Sequence, residues 1–193
     1  MVAGHFGFGA IVKSRERSTP LWALMLACQW LDVVFVPLFA FGIERIVPVP
    51  GTSGGYGDVI IYADYTHSLV GALLLSVLFG VVAAFAWGRR PAIVLGAVAF
   101  SHWIIDLAMH RRDMPWLPGN WLDLPRLGFG MWRLHAVSIA AEAALVVVGW
   151  WMYWKAAVQT ADRNPPLVRT ANLAGATVLI AGLVTLVLNV LGY

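Results

Sequence analysis

Charge is scarce in this chain of 193 residues: Asp, Glu, Lys and Arg together make up 12% of it, against about 25% in soluble domains. Hydrophobic residues make up 60%, and the mean hydropathy is +0.77. This balance excludes an ordinary water-soluble domain and predicts an integral membrane protein. Cysteine is nearly absent too. Cys28 stands alone, which excludes an internal disulfide and any metal site built from several thiolates. An excess of one sign of charge is also missing. The formal net charge is +3, and the basic residues sit at the ends of apolar segments instead of in one patch, so nucleic acid is excluded as a partner. No small-residue cleavage site follows the opening apolar run, so the first span is expected to serve as the insertion signal. Repeats, low-complexity tails and a second domain are absent, and the chain reads as one membrane domain over residues 1–193.

Long apolar runs are present in number. Five segments can each cross ~30 Å of hydrocarbon at 1.5 Å per helical residue: 20–43, 65–87, 91–110, 134–154 and 168–192. The expected fold class is all-α, a polytopic transmembrane bundle. Residues 1–12 form a shorter apolar, Gly-rich piece carrying His5, expected as a re-entrant or tilted helix continuing to about Arg17 within the N-terminal segment 1–19. The basic residues then set an orientation. Lys13, Arg15, Arg17, Arg89, Arg90, Lys155, Arg163 and Arg169 fall on one side, and Arg45, Arg111, Arg112, Arg126 and Arg133 on the other. The richer side is expected in the cytoplasm of a bacterial inner membrane. Loops 44–64 and 111–133 then cap the outer face, and their Gly-, Pro- and Trp-rich make-up predicts ordered caps rather than strands or linkers.

Against this apolar background stands Ser101-His102-Trp103-Ile104-Ile105-Asp106-Leu107-Ala108-Met109-His110. Residues four apart lie on neighbouring turns of one helix face, so two imidazoles flank the Asp106 carboxylate. Ionisable groups inside a membrane are costly and mark functional sites by default. Other spans add to the row at the same depth: Asp32 midway along the first, His67 at the start of the second, His135 and Glu142 seven apart on the fourth. Neutral imidazoles with carboxylates and no thiols suit a divalent ion, Zn first and Mn second. On this reading His102, Asp106 and His67 hold the metal and Asp32 and His110 complete or bridge the set, with His5 and His135 as further ligand candidates. Asp32 and Glu142 are the catalytic candidates, Glu142 as general base or last ligand. Ser101 or Ser138 would orient a ligand from behind. The plainer alternative is His–Asp hydrogen bonding that glues helices together. Arg111, Arg112 and Arg133 could contact an anionic substrate, though interface anchoring is the commoner role of such residues.

The chain resembles the YdjM-like family of bacterial inner-membrane proteins described as metal-dependent hydrolases. The resemblance rests on His5, Leu31-Asp32, Tyr65-Thr66-His67-Ser68-Leu69 and Ser101-His102-Trp103-Ile104-Ile105-Asp106 followed by a Pro-rich turn, and covers roughly the first two thirds of the chain. Gly42-Ile43-Glu44 and His110-Arg111-Arg112-Asp113-Met114-Pro115 are similar to signatures in small bacterial membrane proteins. More distantly, the order His, Asp, His, His-x-x-x-Asp, His is similar to zinc-dependent phospholipase C and P1 nuclease. The chain departs from these patterns in three places. Val33 and Val34 follow Asp32 where the family has a second aspartate, Asp64 stands where it has a histidine, and Ile139 stands where the phospholipase pattern has an acid.

The resemblance implies a membrane-embedded, metal-dependent hydrolase acting on an ester or phosphoester of a lipid-soluble substrate. Two other functions share the same residues: a haem b electron-transfer subunit, and a non-catalytic subunit or proton- or ion-handling transporter. The lipid bilayer is the expected surrounding, with a membrane-protein partner or a second copy as further possible company.

Overall fold

The computed structural model describes residues 1–192 and is an all-α bundle with one small hairpin. Its helices are α1 (Val2–Arg15), α2 (Leu21–Cys28), α3 (Trp30–Ala40), α4 (Leu69–Trp87), α5 (Arg89–Met109), α6 (His135–Thr160) and α7 (Pro165–Leu191). Four of them, α4 to α7, are long and apolar enough to cross a membrane, and the bent pair α2–α3 makes a fifth span if counted as one. The chain is a multi-pass membrane protein.

Local chemistry sets the breaks between helices. Ser68 caps α4, its Oγ accepting from the Gly71 N–H at 3.0 Å. Gly88, at φ +80°, reverses the chain between α4 and α5. Asn164 followed by Pro165 and Pro166 starts α7, because proline at the first helical positions sacrifices no needed N–H. The outward faces of α4 and α7 remain apolar, as at Phe85, Val82, Leu173 and Val187, which suits a lipid surround.

Three expectations are refined by the structure. The first span is not continuous: it bends by 51° between α2 and α3, at Gln29. The N-terminal segment forms α1 at the middle of the bundle, with Ala3, Gly4, His5, Gly7, Gly9 and Ala10 all buried. It lies so close to α6 that a Cβ on Gly149 would collide with the Gly7 carbonyl oxygen, and only glycine allows that approach. Loop 44–64, expected without strands, contains an antiparallel hairpin. β1 (Arg45–Pro48) pairs with β2 (Val59–Tyr62) in the register Arg45 to Tyr62 and Pro48 to Val59. Two short β-branched runs, Ile46-Val47 and Val59-Ile60-Ile61, outweigh the flanking turn residues there.

The basic turns gather at one end of the bundle. Arg90 pairs with Glu16 at 3.2 Å, and Lys13 and Arg17 share a surface cleft with Thr160 and Leu167 of the α6–α7 turn region. The hairpin and the irregular segment 111–133 cover the opposite end, where the ionisable residues lie.

Candidate metal centre

The bend in the first span does chemical work. A continuous helix would give the Cys28 carbonyl to the amide of Asp32. At the break that carbonyl instead accepts from Nδ1–H of His102 at 2.8 Å. Asp32 thereby falls in the first turn of α3, where a carboxylate is favoured by the helix dipole.

Each of three imidazoles has its Nδ1 fixed from behind. A carbonyl cannot donate, so His102 carries its proton on Nδ1. The Thr66 hydroxyl donates its single proton to Glu44, whose Oε2 lies at 2.9 Å, and so accepts from Nδ1–H of His67 at 2.8 Å. Glu44 is itself buried and held by the backbone N–H groups of Tyr65 and Thr66 at 2.8 and 2.9 Å. His110 donates from Nδ1 to Asp113 Oδ1 at 3.0 Å, and Asp113 is held in turn by the Ile61 N–H at 2.9 Å. Neutral imidazoles fixed this way turn bare Nε2 lone pairs forward, the arrangement in which a second partner orients a metal-ligating histidine.

Those lone pairs meet carboxylate oxygens. His67 Nε2 and His102 Nε2 are 3.3 Å apart. Asp106 Oδ2 lies 3.1 Å from His102 Nε2, and 3.6 Å from both His67 Nε2 and His110 Nε2. Asp32 Oδ1 lies 3.5 Å from His67 Nε2 and 3.6 Å from His102 Nε2. With the three imidazoles neutral all five atoms are acceptors, and a shared proton can join two acceptors but not five. Ligands about 2.0–2.1 Å from a tetrahedral ion stand about 3.3 Å from one another, and the His67 and His102 nitrogens keep close to that separation from each other and from the Asp32 and Asp106 oxygens. The buried His/Asp cluster can therefore hold a metal ion.

His5, the further ligand candidate from the sequence, forms with His102 and Asp106 a second buried group that could hold a metal ion. Its Nε2 lies 3.0 Å from Asp106 Oδ1, the oxygen turned away from the other histidines, and its ring stacks on His102 with centroids 3.8 Å apart. His5 Nδ1 is buried without a hydrogen-bond partner. His135 lies outside the cluster: it is 46% exposed, with Nε2 at 3.3 Å from Asp58 Oδ1, because α6 begins above the level of the site. Glu142, seven residues deeper, is fully buried. It accepts from the Tyr56 hydroxyl at 2.6 Å and the Gly4 N–H at 3.3 Å.

Ser101 and Ser138 do not back any ligand. Each bonds to a backbone carbonyl, Val98 at 2.6 Å and Met131 at 2.7 Å. That supporting role falls to Thr66, Glu44, Asp113 and the Cys28 carbonyl. The His-x-x-Asp spacing of His110 and Asp113 is the sequence signal for one of them; the Glu44 link crosses a loop and has none. Two arginines of the outer segments are likewise engaged. Arg111 pairs with Asp58 at 3.0 Å, and Arg126 clamps Asp64 at 2.6 and 3.2 Å, which raises the Arg126 guanidinium further above its ordinary range.

A cavity of about 480 Å³ joins the cluster to Glu142. Asp32, His67, Asp106 and His110 line it together with Tyr56 and Glu142, and Phe35, Val36, Ile46, Val59, Ile61 and Trp132 form apolar walls. Burial, and then the bond to Glu142, push the Tyr56 phenol above its usual range, so it stays a proton donor. No family model, curated protein or solved structure matches the chain.

Proposed function

We propose that the protein is a divalent-metal-dependent hydrolase embedded in the bacterial inner membrane, acting on an ester or phosphoester of a lipid-soluble substrate. The observation that carries this reading is the meeting of the His67 and His102 nitrogens with Asp32 and Asp106 oxygens, each 3.1–3.6 Å from those nitrogens, beside an apolar cavity. Asp32, His67, His102 and Asp106 hold the ion, with His110 completing the set, and zinc suits the nitrogen-rich ligands. When bound, such an ion lowers the pKa of a water toward about 7 and polarises the bond to be cleaved.

The chain's own residues do the rest. Asp32, partly exposed to the cavity, is placed to orient the attacking water. Glu142 takes the proton as that oxygen bonds to the carbonyl carbon or phosphorus, and returns it to the leaving alkoxide as its bond breaks. Tyr56 holds Glu142 in place. The apolar walls take the chain of the substrate. Nε2 atoms 3.3 Å apart favour a small ion over haem, whose two axial ligands must stand on opposite faces of a porphyrin. With the basic turns cytoplasmic, the cavity opens toward the outer face of the membrane.

The test is hydrolysis of p-nitrophenyl decanoate by zinc-loaded protein in detergent. Activity should be lost on chelation and restored by zinc, and Glu142→Gln should lower kcat by at least about a hundredfold while keeping the metal. Chelation without effect on turnover contradicts the mechanism.

A further inference from the structure

The cavity also carries a signal about the charge of its substrate, and this inference rests on the hydrolase reading above. Among the described residues that line it there is no Lys or Arg, while Asp32, Asp106 and Glu142 contribute three carboxylates. One divalent ion and the Met1 amino group, 3.7 Å from Asp106 Oδ1, do no more than balance them. Without that amino group the balance is negative. The nearest arginines do not reach in. Arg111 is spent on Asp58 and on the Gly57 carbonyl at 3.0 Å, and Arg126 on Asp64 and the Asp113 carbonyl at 2.8 Å. Sites that bind phosphate esters surround the anion with Arg, Lys, free helix N-termini or several metal ions, because a charge moved from water into an apolar cavity needs compensation, and the α3 N-terminus here is already taken by Asp32. Here the apolar walls of the cavity include Phe35, Val36, Val59 and Ile61.

From this absence of cationic side chains we infer that the cavity selects an amphiphile whose scissile group is uncharged, a carboxylic ester, over a phosphate ester with the same chain. Water adds to the ester carbonyl carbon, the bond from that carbon to the alkoxide oxygen breaks, and the proton taken by Glu142 passes to the alcohol. The products are a carboxylate and an alcohol, and no other reactant is required.

Binding rather than turnover is the direct test, because it stays readable if hydrolysis fails. Thermal unfolding of the full zinc-loaded chain in detergent is followed with a dodecyl trifluoromethyl ketone, a neutral mimic of the hydrated ester, and with dodecylphosphonate, its anionic counterpart. The ketone should bind at least about tenfold more tightly, a difference of about 1.4 kcal/mol. Val36→Arg, which sets a guanidinium on the cavity wall, should raise phosphonate affinity by about the same factor. Equal or tighter phosphonate binding to the unaltered protein, binding of neither ligand, or a Val36→Arg variant with unchanged phosphonate affinity would each overturn the inference. Tight ketone binding without hydrolysis of p-nitrophenyl decanoate leaves the charge preference standing and removes the hydrolase reading alone.

Discussion

The two halves of α5 are built from different forces. From Arg89 to Phe100 the helix packs small and branched side chains: Ala92, Leu95 and Val98 lie in an apolar cluster with Leu24, Ala27 and Ala83, and Gly96 approaches the backbone of α4 at Gly80. From Ser101 to Met109 the buried face carries His102 and Asp106 instead. The first half is complete as it stands, since van der Waals contacts between small residues need no further group. The second half gathers acceptors that repel one another unless a cation lies between them. Substitutions in the two halves should therefore separate metal binding from bundle stability.

The largest effect is expected at Asp106. Asp106→Asn keeps size and hydrogen-bonding capacity but removes the charge, so metal affinity should fall at least about a hundredfold while the bundle still inserts. His102→Ala should match it. Equilibrium dialysis with zinc checks both. A pair that merely glued helices would instead lose about 0.6 kcal/mol of thermal stability and leave metal content unaltered.

Next come the groups behind the ligands. Asp113→Asn and Glu44→Gln leave every ligand in place but weaken the hold on His110 and on the Thr66–His67 pair, and each should cost about tenfold to a hundredfold in metal affinity. If both bind zinc as the unaltered protein does, the proposed tautomers of His67 and His110 are wrong.

In the other half of α5, Gly96→Ala should do the reverse. Its Cβ would stand 3.2 Å from the Ser76 carbonyl oxygen, close enough to push α4 and α5 apart and lower stability by about 1 kcal/mol. Metal affinity should not change. Loss of metal in this variant would mean that the two halves are not independent.

The smallest effect belongs to Glu16, at the end far from the site. The Ser18 hydroxyl and N–H hold its carboxyl below the ordinary glutamate value of 4.5, with Arg90 adding to the shift. A lowered folded pKa stabilises the protein above the unfolded value, and the gain is lost as pH falls through the folded one. Glu16→Gln should accordingly flatten the decline in melting temperature below about pH 4.5, with no effect at pH 7. An identical acid decline in both proteins would contradict the assignment.

How much of this was legible in the sequence follows from the range of the forces involved. The row His102, Asp106 and His110 was readable because helical spacing is local, and the spans because hydropathy is a sum over neighbours. Asp32 and His67 could be placed by depth alone, and they join the cluster. His135 could not: its depth depends on where α6 starts, and the preceding segment 131–134 forms a tight turn that leaves it exposed beside Asp58. The bend between α2 and α3 had no proline or glycine to announce it; a tertiary bond from His102 takes the freed carbonyl. Arg126 reads as an isolated outer residue in the sequence, yet it holds Asp64 across 62 positions, a pairing that no local pattern encodes.

The central claim is that the acceptors at the end of α5 are held together around an ion. Elemental analysis of the detergent-purified protein, dialysed against metal-free buffer, tests it most directly. The account predicts close to one equivalent of zinc or manganese per chain, with no haem absorption in the visible spectrum. Protein that is folded and free of any divalent metal, and that takes up none when zinc is added, would contradict it.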